Sequence, residues 1–147
     1  MIKLAPYLRS SRNNVPVSAG EMAGKQAEAE EYLLSDLKDT SKYQSAQGYK
    51  DNVVDVTRPS VYHFYEKVMD ELGAMYKEAG LTMDVIHMGG DEVPTGAWSG
   101  SAPAQELFAK NPTWETYKNF HAYFIRNLVP LMQKRGLRVD AWEEASL

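Results

Sequence analysis

Two short apolar runs, Met83–Met88 and Leu137–Trp142, flank a segment that carries helical periodicity. No other feature constrains the fold as much. Two strands joined by a helical crossover pair in parallel, because a tight turn joins only antiparallel neighbours. The expected class is therefore α/β, with parallel strands and crossover helices. Before the first run, Pro59 suits the first turn of a helix, and Val61, Phe64, Tyr65, Val68, Leu72, Met75, Tyr76 and Ala79 fall on one face. Gly80 is placed to end that helix in a left-handed cap. Between the runs, Pro103–Lys110 reads as a short helix. Thr113 is placed to cap a longer one, with Trp114, Tyr117, His121, Phe124, Leu128 and Leu131 on its core face. Pro130 is expected to kink or break that helix, and Gly136 to end it. Nearer the N-terminus, Ala23–Leu34 is a helix by propensity. Residues 35–57 are polar and aperiodic, and a connection of that length is usually functional or mobile.

The first apolar run leads directly into His87-Met88-Gly89-Gly90-Asp91-Glu92. In parallel α/β folds, sites gather at the carboxyl ends of strands. Asp91-Glu92 and Trp142-Glu143-Glu144 both fall at such ends. Residues along a strand alternate faces, so two adjacent acids share one cavity only if the backbone turns. Gly89 and Gly90 give it that freedom. Paired acids held close tend to divide into one ionised and one protonated group, the arrangement that acid-assisted bond cleavage requires. The plainer alternative is an acidic loop tip solvated by water. Trp142 reads equally as a pocket wall and as a buried strand-end residue. Trp98 reads as a cleft wall or, preferably, as an apolar plug holding its loop down. His87 is expected to be a strand histidine with a structural hydrogen bond. His63 and His121 lie on helices and are assigned no chemistry. Glu143 and Glu144 either support the site or are solvated.

Composition narrows the function classes. A net charge of −4 with no basic patch argues against nucleic acid as the main partner. With no cysteine there is neither a disulfide framework nor a thiolate metal site. No stretch approaches a membrane span, and Met1–Pro6 lacks the apolar core of a signal peptide.

His87-Met88-Gly89-Gly90-Asp91-Glu92 resembles the H-x-G-G-D-E signature of the family 20 glycoside hydrolases, the β-N-acetylhexosaminidases. The resemblance extends to the chitobiase-type bacterial members through Glu28–Asp36, Asp39–Tyr43, Met75–Gly80, Val93–Trp98 and Ala141–Glu144. It implies a (β/α)8 TIM barrel, of which residues 23–147 would be a part; residues 1–22 read as irregular and do not match. It also implies retaining, substrate-assisted hydrolysis of a carbohydrate substrate, an N-acetylglucosaminide or N-acetylgalactosaminide, with no cofactor and no metal. In that scheme the substrate's 2-acetamido oxygen is the nucleophile. Glu92 is the general acid and then the base, so it must carry a proton when substrate arrives. Asp91 orients the acetamido group, and Trp142 lines its pocket.

A complete barrel takes roughly 250 residues, and the chain has 147. The family's substrate-clamping arginine and its upstream acid and histidine are not recognisable. A partial barrel leaves strand edges uncovered, so the isolated chain is expected to bind sugar poorly, turn over little and associate. Three other readings compete. Gly89-Gly90-Asp91-Glu92 also resembles the GGDEF signature of diguanylate cyclases, although there the residues sit on a hairpin and a Phe follows, where this chain has Val93-Pro94. His87, Asp91 and Glu92 would form a divalent-metal site if they converged, although their spacing is not that of a helical ligand pair. The third reading is an inactive carbohydrate-binding fragment. The compartment is not legible, although full-length relatives are often periplasmic or secreted.

Overall fold

The computed structural model describes residues 31, 33–50, 52–116 and 118–146. Its elements run α1 (Pro59–Glu78), β1 (Val85–His87), α2 (Ala102–Ala109), α3 (Asn119–Gln133) and β2 (Arg138–Asp140), followed by a 3-10 turn, Glu143–Ser146. The two strands pair in parallel, Val85 opposite Arg138, Ile86 opposite Val139 and His87 opposite Asp140. The α/β reading with a helical crossover therefore stands for the described residues.

Both long helices end the same way. Gly80 and Gly136 have φ of +72° and +74°. Their N–H groups donate to Lys77 O and Gln133 O, and the next residues, Leu81 and Leu137, reach back to Tyr76 O and Met132 O. This paired pattern satisfies the last carbonyls of each helix and turns the chain toward the strand that follows. Pro59 occupies the first position of α1, where its missing N–H costs nothing.

Ile86 and Val139 face the helices, packed against a core of Val61 and Met69 from α1, Phe120, Phe124, Leu128 and Met132 from α3, and Leu137. The register puts Val85, His87, Arg138 and Asp140 on the opposite face, where Val85, His87 and Arg138 are exposed. At the centre of the core, the fully buried Phe120 ring meets Trp114 edge-on at 5.0 Å, Trp98 at 5.6 Å and Phe108 at 6.5 Å. Outside the core, Arg135 fastens the end of α3 to α1, holding both carboxylate oxygens of Asp70 at 2.6 and 2.9 Å and Glu66 at 3.0 Å. These bonds hold the Asp70 carboxyl below the usual carboxylate range.

Four expectations need correction. The helix expected to begin after Thr113 begins at Asn119. Trp114 lies in the preceding turn, where the Asn119 side chain accepts the N–H groups of Glu115 and Thr116. Trp114 still reaches the core, so its apolar spacing reported burial and not helix; Tyr117 lies outside the described residues. Pro130 does not break α3, which runs on to Gln133. The far end of the α1 apolar face is uncovered, with Met75 62% and Tyr76 43% exposed. The helix expected over Ala23–Leu34 lies outside the described residues except at its end, where Glu31 is helical and Leu33 and Leu34 are not. The Leu33 carbonyl instead accepts from Arg58 and Ser60 at the start of α1.

Truncating Phe120 to Ala removes the ring that three other aromatic side chains share. A loss of roughly 3–5 kcal/mol is expected, seen as a fall in the urea midpoint at unchanged slope.

Candidate active site

The site is built by a slip in the strand ladder. Arg138 N–H donates to Asp84 O and Met88 N–H to Asp140 O, both at 2.8 Å. Regular parallel alternation would then pair Trp142 N–H with the Met88 carbonyl. It pairs instead with Gly89 O, at 2.9 Å. One extra residue is thus accommodated at Gly89, as in a β-bulge, and the following side chains are re-aimed. Gly89 and Gly90 have φ of +71° and +90°, values that glycine alone adopts without penalty.

Beyond the slip, Asp91 and Glu92 line one cleft of about 260 Å³. Residues 91–94 form one side of it, and Ser45, Gln47, Asn52 and Val53 the other. Both carboxylates are exposed. Glu92 stands at φ +52°, a left-handed conformation costing a side-chain-bearing residue roughly 1–2 kcal/mol. Hydrogen bonds hold it at both ends. Gln47 Nε2 donates to its Oε2 at 2.7 Å, and its own N–H donates to Glu144 Oε2 at 2.9 Å.

His87 makes the structural bond expected of it, Nδ1 accepting the Gly89 N–H at 3.1 Å. Its ring meets Trp142 edge-on at 4.9 Å. Trp142 is 56% exposed and belongs to this edge of the sheet rather than to the lining of the cleft. Trp98 is not a cleft wall. It is 5% exposed, packs on Phe120, and its indole N–H donates to Val54 O at 2.8 Å. A large buried ring with one donor, satisfied by a backbone carbonyl, is the plug that holds the loop after the acids against residues 53–56. Two close approaches clamp the same loop. A Cβ on Gly96 would stand 2.5 Å from Lys42 O, and one on Gly100 2.3 Å from Ser41 N.

The sequence reading missed two contributors. Gln47 lies in an aperiodic polar stretch, where only the length of the connection hinted at a role. His121 had been assigned only to the core face of a helix. Its Nε2 is buried with no hydrogen-bond partner among the described residues. Burial lowers its pKa, while Glu144 and Asp91, both near enough to act on it, pull the other way.

Two of the competing chemistries fit poorly. Gly89–Glu92 follows a strand of a parallel pair, not a hairpin turn, which separates it from the cyclase signature. Among the described residues no three His, Asp or Glu side chains gather into a group able to hold a metal ion. Among them, too, no helix is long and apolar enough to cross a membrane.

Comparisons with known proteins converge. The sequence model described as glycosyl hydrolase family 20, catalytic domain, matches residues 17–147. A beta-hexosaminidase of Vibrio vulnificus is 35% identical over 122 residues, which are 82% of this chain and 14% of that protein. Beta-hexosaminidase B of Pseudoalteromonas piscicida is 31% identical over 121 residues, 82% of this chain and 15% of its own length. Among solved structures, the exo-β-N-acetylglucosaminidase of Vibrio harveyi in complex with N-acetylglucosamine superposes with a TM-score of 0.67 at 34% identity. That match covers 85% of this chain and 18% of the other. The chain thus spans about a seventh of the length of the curated relatives it matches.

The part-buried imidazole sets a pH dependence. Because the folded state lowers the pKa of His121, the unfolded chain binds its proton more readily. The contribution of His121 to stability is complete above the ordinary imidazole pKa of about 6.5 and is lost as pH falls through the lower folded value. Urea unfolding of the native chain and of His121→Gln should therefore show a stability difference favouring histidine that shrinks between pH 7 and pH 5. A difference that grows on acidification would contradict the burial of the ring.

Proposed function

Because the chain belongs to glycosyl hydrolase family 20, we propose that it supplies the acid pair of a (β/α)8 barrel enzyme that releases terminal non-reducing N-acetylhexosamine from β-N-acetylhexosaminides. Three lines support this reading: the family match over residues 17–147, the relatives named beta-hexosaminidase, and the way Asp91 and Glu92 line one cleft beyond the end of β1. The last observation carries it. Two acids that diverged around the strand end could not serve one substrate.

The proposed route is retaining and substrate-assisted. The 2-acetamido carbonyl oxygen attacks the anomeric carbon as the glycosidic C–O bond breaks, and the leaving oxygen takes its proton from Glu92. The positive charge that develops on the acetamido nitrogen falls to the Asp91 carboxylate, which also orients the group. Glu92, now ionised, removes a proton from water, whose oxygen attacks the anomeric carbon and reopens the ring intermediate. Two inversions at one carbon leave its configuration unchanged. The protein contributes a placed proton and a placed negative charge, the effects through which positioning and electrostatics lower such barriers. Trp142 lies outside the described cleft, at the sheet edge against His87; its exposed face is proposed to meet the acetamido group of a sugar that extends beyond that cleft.

Both acids of the cleft are exposed, whereas a transition state is stabilised most strongly where water is excluded. That favours one second reading, a sugar-binding fragment without turnover. Kinetics on the protein carrying this chain distinguish the two. An aryl β-N-acetylglucosaminide, with its good leaving group, needs little protonation, whereas chitobiose needs it fully. Glu92→Gln should cut chitobiose turnover by roughly 10²–10⁴-fold and aryl-glycoside turnover much less. Equal losses on both would remove the acid role from Glu92. Calorimetric binding of N-acetylglucosamine with no turnover of either substrate would establish the second reading.

A further inference from the structure

Glu92 is held in a conformation that a residue with a side chain rarely adopts, and such a residue persists only where its surroundings hold it. Two bonds are available to do so. The one from Gln47 grips the carboxyl itself, the group that must exchange a proton with substrate and water. The one to Glu144 grips the backbone N–H and leaves the carboxyl unencumbered.

Glu144 is well placed for the task. It lies two residues after Trp142, whose N–H is bonded to Gly89 O at the ladder slip. Glu92 lies three residues after that same Gly89. Two bonds, Trp142 to Gly89 and Glu92 to Glu144, therefore register the 3-10 turn Glu143–Ser146 against the loop that carries the acids. Helix α3 packs on this turn, with the part-buried His121 ring, whose Nε2 is buried, near the Glu144 carboxylate.

We propose that Glu144 is a positioning residue: its carboxylate, by accepting the Glu92 N–H, holds the Glu92 backbone left-handed and so fixes the direction in which the Glu92 carboxyl is presented to the cleft. The bond itself is independent of the reaction assigned above; its catalytic consequence rests on that reading.

The test reads the bond directly. Hydrogen exchange of the Glu92 amide is followed by NMR in the native chain and in Glu144→Gln, Glu144→Asp and Glu144→Ala. Gln keeps the reach and the accepting oxygen, Asp keeps the charge but is one methylene short, and Ala keeps neither. The expected order is protection close to native in Gln and exchange about tenfold faster in Asp and Ala. Equal exchange in all four proteins would overturn the proposal, as would Asp behaving as native while Gln behaves as Ala. Since Gln preserves size and polarity, the Gln–Asp contrast survives even if the Ala variant fails to fold.

The functional arm uses an aryl β-N-acetylglucosaminide and the protein carrying this chain. Glu144→Ala should lower kcat roughly 10–100-fold with KM little changed, and Glu144→Gln should recover most of it. A rise in KM at unchanged kcat would count against positioning. If the exchange order holds but the unsubstituted protein turns over no hexosaminide, the hexosaminidase reading fails and the brace stands.

Discussion

The bond from Trp142 N–H to Gly89 O is what the candidate site depends on. Had the ladder continued in step, the residues after β1 would have kept alternating between the helix-covered face and the open one, and Asp91 and Glu92 would have pointed apart. The slip inserts one residue, and the positive φ values of Gly89 and Gly90 absorb it. From there the chain turns, and both acidic residues line one cleft. The same bond places the turn after β2 beside Glu92, which is how Glu144, distant in sequence, comes to accept its N–H.

A second constraint keeps that turn from relaxing. The loop after the acids is tied to the body of the chain through Trp98, buried on Phe120 and bonded to Val54 O, and through the close approach of Gly96 and Gly100 to residues 40–43. A side chain at either glycine would collide with backbone, so the loop and the 40–43 segment sit at a separation only glycine permits. Ser45, Gln47, Asn52 and Val53, which form the opposite side of the cleft, are thereby held in register with the acids. Aromatic packing in the core and polar geometry at the site are one mechanical system.

Much of this was legible from the residues, and the exceptions share a cause. The helices α1 and α3, the parallel strands and the acid pair follow from periodicity, caps and glycines, which are local signals. The start of α3 was misplaced because periodicity reports burial. Trp114 is buried in the aromatic cluster from a turn, and its spacing alone does not distinguish that from a helical turn. The apolar face of α1 runs on to Met75 and Tyr76, which are nonetheless exposed: the sequence shows an apolar face but not how far another element covers it. Glu92 at positive φ was beyond reach, since sequence preference places glycine there and the two glycines before it are the ones it advertises. Its bonds to Gln47 and Glu144 join segments far apart in sequence, and only the register of β1 against β2 brings them together.

Direction and enclosure are therefore separable at this site. The direction of the Glu92 carboxyl is set locally, by the ladder slip, the left-handed backbone and the Glu144 bond, all within the described residues. Enclosure is not, because both acids face water, Trp142 is half exposed, and the sheet face carrying Val85, His87 and Arg138 is open. A proton on a general acid is retained by desolvation and neighbouring charge, and a transition state is stabilised most strongly where water is excluded. In the role proposed for Glu92, the described residues can thus set its direction while leaving its chemistry weak. Walls over the open face and the cleft would raise the rate without altering how Glu92 points.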